Sequence, residues 1–297
     1  MRYSPFSPRA SQKLGSASAS NERFFAEVGK SAGQRALHGA ILLVGARDTL
    51  ALALRRAQGV LRFDQRPSKW SHAALIVRWQ GDVGASVGVE VTLDPLERRQ
   101  QVPERNGVTT FTLARYFDEQ RYPNVALLSF ELEEPERVPG MVGTLPTGAE
   151  RLAVVLETAL TPVKERERFP LWDMLGAWAR HAYLPYTTPN PLLEGIPLPC
   201  ASLCEYAYEA AGIDLTPGAT GNHNCPEVLY ATAKHWAEGV ASTQRACVRL
   251  YSLERDEHVV PHDELPVRID EIELPARSEL GSAAPPRGAK KAARKKR

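Results

Sequence analysis

The segment Cys200-Ala-Ser-Leu-Cys-Glu-Tyr-Ala-Tyr-Glu-Ala-Ala-Gly212 puts a thiol where a helix should begin. A Pro-dense loop over 185–199 delivers the chain to Cys200. Beyond it Leu203, Cys204, Ala207, Tyr208 and Ala211 recur at helical spacing, and Gly212 supplies a left-handed stop. A thiol at a helix N-terminus meets the positive end of the macrodipole and N–H groups that have no partner within the helix. Both favour thiolate, and the same N–H groups can hold an oxyanion. The plainer reading of any free cysteine is a small buried hydrophobe, and Cys204, on the apolar stripe, takes that reading.

A thiol nucleophile needs a base, and the segment Trp70-Ser-His-Ala-Ala-Leu-Ile-Val77 offers His72 at the mouth of an apolar strand. An imidazole there can face a helix terminus, and it titrates near enough to neutrality to take a thiol proton. The alternative is a structural histidine closing a loop. A third group is Glu90, in Val87-Gly-Val-Glu-Val91. On an inward face its carboxylate needs a polar partner, and an imidazole N–H is a suitable one. On the outward face it is merely solvated. Asp94, at the end of the same run, is the rival orienting acid.

Positioning these groups requires a sheet and a facing helix. The run 39–44 reads as a buried strand and 49–58 as a short amphipathic helix ending at Gly59; 66–70 is a loop, and 71–79 a second strand. The polar break at 80–82 leads to a strand over 87–93, so the two form an antiparallel hairpin. Strands are expected at 108–113 and 125–131, and 135–146 is a turn-rich break. Helices are expected at 150–160, 171–183, 200–211 and 226–237, with a last strand at 246–252. The fold class this predicts is α+β, a small antiparallel sheet packed against the Cys200 helix with flanking helices. Residues 1–20 read as a disordered arm, 21–275 as the catalytic domain and 276–297 as a basic disordered tail.

In this order the three pieces resemble the circularly permuted branch of the NlpC-type papain-like cysteine hydrolases, which includes YiiX-like and lecithin:retinol acyltransferase-like enzymes. The resemblance rests on Cys200 with Leu203-Cys204, Tyr206, Tyr208 and Ala211-Gly212. Upstream it rests on Gly39 to Leu43, then a helix, then Trp70-Ser71-His72, and downstream on Cys225-Pro226 followed by Leu229. It covers roughly residues 36–240. Ala40 stands where that branch commonly carries Asp, Ala201 where Ser usually follows the nucleophile, and the His72 to Glu90 hairpin is long. The resemblance implies a cysteine hydrolase in which His72 activates Cys200, Glu90 orients His72, and a peptide, muropeptide or lipid is the substrate. Its rivals are a lipid-directed acyltransferase or phospholipase of the same fold, and a catalytically inactive binding module.

Composition narrows the partners. Seven positive charges lie in the last eleven residues, and taking them from the net charge of +2 leaves −5 on the rest. A mildly acidic body argues against nucleic-acid binding. The basic tail reads first as a solvated end, with weak contact to an anionic surface as the alternative. Four cysteines in 297 residues make no dense disulfide framework. With no signal-type apolar segment and no run of ~18 apolar residues, a cytoplasmic protein is expected, export without a cleaved signal being the alternative. No cofactor is called for: His223, Cys225 and His235 fit no zinc spacing. From its helix-start position and the loop before it, Cys200 should be accessible and should alkylate before Cys204, Cys225 and Cys247 near neutral pH. Peptide mapping after limiting iodoacetamide reads the order, and earlier labelling of Cys204 or Cys247 would overturn the assignment of the nucleophile.

Overall fold

A computed structural model describes residues 11–13, 20–91, 108–132, 147–165, 177–178, 180–181, 187–217, 223–237 and 246–255. The chain divides into two units, 1–259 and 260–297. The second unit, the 135–146 break, most of the 171–183 helix and the basic tail lie outside the described residues.

The run Ile-Leu-Leu-Val at 41–44 has no polar face to offer water, so a strand made from it must be covered on both sides. The sheet that covers it consists of β1 (Ser11–Lys13), β2 (Ile41–Gly45), β3 (His72–Arg78), β4 (Val87–Val91), β5 (Val108–Thr112), β6 (Asn124–Leu132) and β7 (Ala246–Glu254). Their order is β1-β7-β6-β2-β3-β4-β5, with every residue of the central β2 buried. β1 runs parallel to β7, pairing Ser11 with Leu250, and every other neighbour is antiparallel. The fold is α+β. Ser11–Lys13 thus form a short edge strand within the segment read from sequence as an arm.

Alternation along the strands splits the core in two. Ile41, Leu43, Ala73, Leu75, Val89 and Val91 pack with residues of α3 (Gly148–Glu165), α4 (Pro199–Glu209) and α5 (Pro226–Ala237). Leu42, Val44, Ala74, Ile76 and Leu127 pack on the other face, against Phe24, Phe25 and Val28 of α1 (Asn21–Ala32). α1 has no counterpart among the elements expected from sequence. Its local signals are nonetheless ordinary: Ser20 accepts from the Arg23 N–H at 3.2 Å as N-cap, and Phe24, Phe25 and Val28 share one face. Burying each of those side chains stabilises the fold by about 1.5–3 kcal/mol. α3 opens on a reciprocal cap, Glu150 N–H to Thr147 Oγ1 at 3.2 Å and Thr147 N–H to Glu150 Oε2 at 2.7 Å, and continues past Pro162 to Glu165. It is therefore longer than the 150–160 span its apolar spacing predicts.

The segment between α2 (Thr49–Ala57) and β3 is fixed by buried polar groups rather than by regular structure. Arg55 donates from Nε to the Ser68 carbonyl at 2.8 Å, and the Ser68 N–H returns to the Arg55 carbonyl at 2.7 Å. Gln58 Nε2 donates to the Leu54 and Trp70 carbonyls, while its Oε1 accepts from the Glu227 N–H at 2.9 Å, tying this segment to the start of α5. The close approach at Gly45 belongs to the same packing, because a Cβ there would meet the Lys69 carbonyl at 1.9 Å. Lys69 backbone cannot yield without moving the residues that lead into His72. Gly45→Ala should therefore lower stability by about 1–3 kcal/mol, as overpacked cores do. Urea unfolding measures it, and an unchanged midpoint would show that the 69–71 backbone is free to shift.

Candidate active site

α4 begins with Pro199, whose fixed φ suits the first helical position, and no side chain caps its first turn. Cys200 follows immediately. Two backbone contacts hold this turn: the Leu198 N–H donates to the Asn224 carbonyl at 2.9 Å, and the Tyr208 hydroxyl, two turns on, donates to the Gly39 carbonyl at 2.6 Å. The first ties α4 to the residue before Cys225, and the second ties it to the entrance of β2. Gly212, at φ +76°, ends the helix in the left-handed conformation expected of it.

His72 is the first residue of β3, opposite Val44 of β2. Ser71 sets it there, with its N–H donating to the Val44 carbonyl at 2.8 Å and its Oγ accepting from the Ala46 N–H at 3.0 Å. Glu90 lies opposite Ala74, so His72 and Glu90 are diagonal neighbours on one face of the hairpin. His72 Nε2 donates to Glu90 Oε2 at 2.9 Å. The Cys200 thiol acts on the same imidazole, raising its pKa. Because Nε2 is taken by Glu90, the nitrogen left for sulfur is Nδ1. His72 and Glu90 thus meet at the end of a strand, with Cys200 in the first turn of α4 near enough to act on the imidazole. Asp94 lies outside the described residues.

Two residues of the site carry no signal in the sequence reading. Arg115 and Tyr116 are consecutive in a 3-10 turn, Leu113–Tyr116, that follows β5 directly. Arg115 is ion-paired with Glu90 Oε1, and the Tyr116 hydroxyl donates to Glu90 Oε2. The turn is in turn held by Asn21 of α1, whose Nδ2 donates to the Tyr116 and Tyr122 carbonyls at 2.9 Å each. A cleft of about 80 Å³, lined by Ser71, His72, Glu90, Arg115 and Tyr122 among others, opens beside the imidazole.

The thiol departs from expectation in one respect. Cys200 is 0% exposed, where the preceding loop was expected to leave it accessible. The cause is packing: Leu198, Pro199 and Ala201 around it are themselves buried, so the first turn of α4 lies inside the core instead of at its rim. Cys204 and Cys225 are buried as well. Burial pushes the Cys204 thiol well above its ordinary value, with the neighbouring Cys200 adding to the effect. It pushes Cys225 up to about 12, the nearby backbone N–H groups of Val228 and Glu227 offsetting only part of the effect.

For His72, burial alone would lower the pKa, but hydrogen bonds to Cys200 and Glu90 outweigh it and hold the imidazole up, at about 10. For Glu90, 1% exposed, burial would raise the pKa. The His72 contact, then Arg115 and Tyr116, outweigh it and hold the carboxyl down at about 2. A buried carboxylate, an imidazole and a thiol in line can pass a proton between sulfur and nitrogen at little cost. Among the described residues no group of three or more His, Cys, Asp or Glu side chains forms a metal site, and no helix is long and apolar enough to cross a membrane.

Comparison with models of known protein families gives no match, and comparison with curated proteins gives none either.

The raised His72 pKa stabilises the fold fully below pH 6.5, its ordinary value, and that contribution is lost as pH rises through about 10. The lowered Glu90 pKa stabilises the fold fully above pH 4.5 and is lost as pH falls through about 2. Both contributions are complete between 4.5 and 6.5. Thermal melts should show wild type ahead of Glu90→Gln by the widest margin in that window, closing toward pH 10. A margin that stays constant from pH 6 to 10 would mean the two groups are not coupled.

Proposed function

We propose that the protein is a cysteine-nucleophile hydrolase of the permuted papain-like kind, cleaving an amide bond in a peptide or cell-wall peptide through an acyl-enzyme. The observation that carries this reading is the single imidazole that is hydrogen-bonded to a buried carboxylate and acted on by a thiol at the start of a helix. The chain order, His72 and Glu90 before Cys200, is the permuted one that the sequence resemblance implies.

In the proposed reaction His72 Nδ1 holds the proton of Cys200 in the resting pair, and the thiolate attacks the amide carbonyl carbon. The oxyanion that forms is met by the backbone N–H of Cys200, in a first turn that no side chain caps. Collapse of the intermediate breaks the C–N bond. The imidazolium gives its proton to the departing amine, leaving a thioester on Cys200. A water then loses a proton to His72 and attacks the thioester, releasing the acid and restoring the thiol. Throughout, Glu90 keeps the Nε2 proton facing itself, which fixes the tautomer that leaves Nδ1 free to act as base.

The reading is tested by incubation with an activated acyl ester, p-nitrophenyl acetate, followed by intact-mass spectrometry and peptide mapping. Wild type should carry one acetyl group, on Cys200. Cys200→Ser should carry none there, and His72→Ala should acylate 10²- to 10⁴-fold more slowly, on the order of a general base's contribution. Protection by an added peptide, muropeptide or lipid then identifies the substrate class. Acetylation confined to other residues, or a His72→Ala rate equal to wild type, would refute a hydrolase built on this dyad.

A further inference from the structure

Glu90 is 1% exposed, and a carboxylate so far from water takes up a proton well above its usual range unless positive charges or hydrogen-bond donors meet it. Three described residues do, from two elements. His72 comes from β3, while Arg115 and Tyr116 come from the turn after β5. Their division of labour is visible in the two oxygens: His72 and Tyr116 share Oε2, and Arg115 takes Oε1. The hydroxyl of Tyr116 occupies one lone pair of Oε2 and leaves the other to the imidazole. The guanidinium supplies the full positive charge, and its Cζ stands 5.8 Å from the centre of the Tyr116 ring. The turn that presents both is fixed from each end of the described chain, because Asn21 Oδ1, whose amide holds the Tyr116 carbonyl, accepts from Arg255 at 2.7 Å.

On the dyad reading proposed above, we infer that Arg115, assisted by Tyr116, is the positioning residue that sets the lower pH limit of the reactive thiol. While Glu90 is ionised it stabilises the imidazolium, and the proton can rest on His72 with the sulfur as thiolate. Once Glu90 is neutral that support is gone, and the proton returns from Nδ1 to sulfur. The pH at which this happens depends on how strongly Arg115 holds the carboxylate in its charged form. The other ionisable groups around Glu90 are Tyr122, stacked on Tyr116 at 5.0 Å, and Cys200 beyond the imidazole; Arg121 and Asp48 line the same cleft. After His72 itself, Arg115 is the charged group with the largest effect on Glu90.

The test needs no substrate. The rate of Cys200 alkylation by iodoacetamide is followed from pH 2 to 9 by peptide mapping, and the shape of the profile is compared rather than its height, since burial of the thiol lowers all rates alike. Wild type should keep a reactive thiol well below the pH at which an ordinary cysteine ionises. In Arg115→Gln the acid limb should move up by about one pH unit, which makes alkylation tenfold slower at a given pH on that limb. Arg115→Lys should return most of the shift, and Tyr116→Phe should show a smaller shift in the same direction. A purely structural role would lower the melting temperature of the variants without moving the limb. The inference is overturned if wild type shows the low-pH limb while the Arg115→Gln and Tyr116→Phe profiles superimpose on it. If Arg115→Gln does not fold, superposition of the Tyr116→Phe profile alone overturns it. A wild-type Cys200 that alkylates only as an ordinary thiol overturns the dyad itself, an outcome distinct from the first.

Discussion

A carboxylate removed from water is the constraint around which the site is arranged. Moving an ionised carboxyl into a protein interior costs several kcal/mol even after relaxation, and leaving one partner out of a buried pair costs about 3–5 kcal/mol. Glu90 meets that cost with an imidazole, a guanidinium and a hydroxyl. Each donor then has to be held where it is, which constrains the surrounding backbone. His72 must open β3 and not lie in its middle, and the turn after β5 must place two consecutive side chains inward. Asn21 of α1 must brace that turn. A sheet that merely buried its apolar residues would need none of these.

The nucleophile's side of the site is held by a different set of contacts. α4 is tied to the sheet entrance by Tyr208 and to the start of α5 by the Leu198–Asn224 backbone bond. α5 is tied in turn to the segment leading into His72. The Glu227 N–H donates to Gln58 Oε1, the Ser68 hydroxyl donates to Glu227 Oε2 at 2.6 Å, and Gln58 also holds the Trp70 carbonyl. The helix that carries the thiol and the loop that carries the imidazole are therefore linked through α5 by buried hydrogen bonds. Each such group is costly to leave unpaired, roughly 1–3 kcal/mol. The separation of sulfur and imidazole is thus fixed by the same groups that hold the core together.

Much of this was legible in the sequence, and the reasons differ by element. β2, β3 and β4 were found because a strand buried on both faces is a continuous apolar run, and α4 because its stripe and its closing Gly212 are strong local signals. The pairing of His72 with Glu90 was legible because a charged residue in an apolar strand needs a partner, and a hairpin places diagonal neighbours within reach. Arg115 and Tyr116 were not legible. They follow a strand as an ordinary Leu-Ala-Arg-Tyr turn, and nothing in their spacing points to a residue 25 positions earlier. α1 was missed despite a Ser cap and an aromatic face, because its apolar stripe is only Phe24, Phe25 and Val28, too short to establish a period. The burial of Cys200 could not be read either. A Pro-rich approach to a helix predicts a loop, but whether other elements cover that loop is decided by packing between distant parts of the chain.

Three cysteines in the same core show what separates a structural thiol from a reactive one. Cys204, one turn along α4, has the burial of Cys200 but lies away from the helix end, and a hydrophobic environment only strengthens its hold on its proton. Cys225 has the other supposed advantage, since it stands just before a helix with the N–H groups of Glu227 and Val228 nearby, yet burial still wins and its thiol is pushed up to about 12. Helix position is therefore insufficient here, because the dipole and one or two N–H groups contribute about 1–2 kcal/mol against a larger desolvation cost. Among the three, Cys200 is the one that acts on His72. On the proposed reading an imidazole receives its proton, so that ionisation becomes a transfer within a buried pair, with no free charge created in the core. That pair is supported by Glu90, and Glu90 by Arg115, so on the same reading the chemical character of Cys200 depends on a guanidinium from the turn after β5.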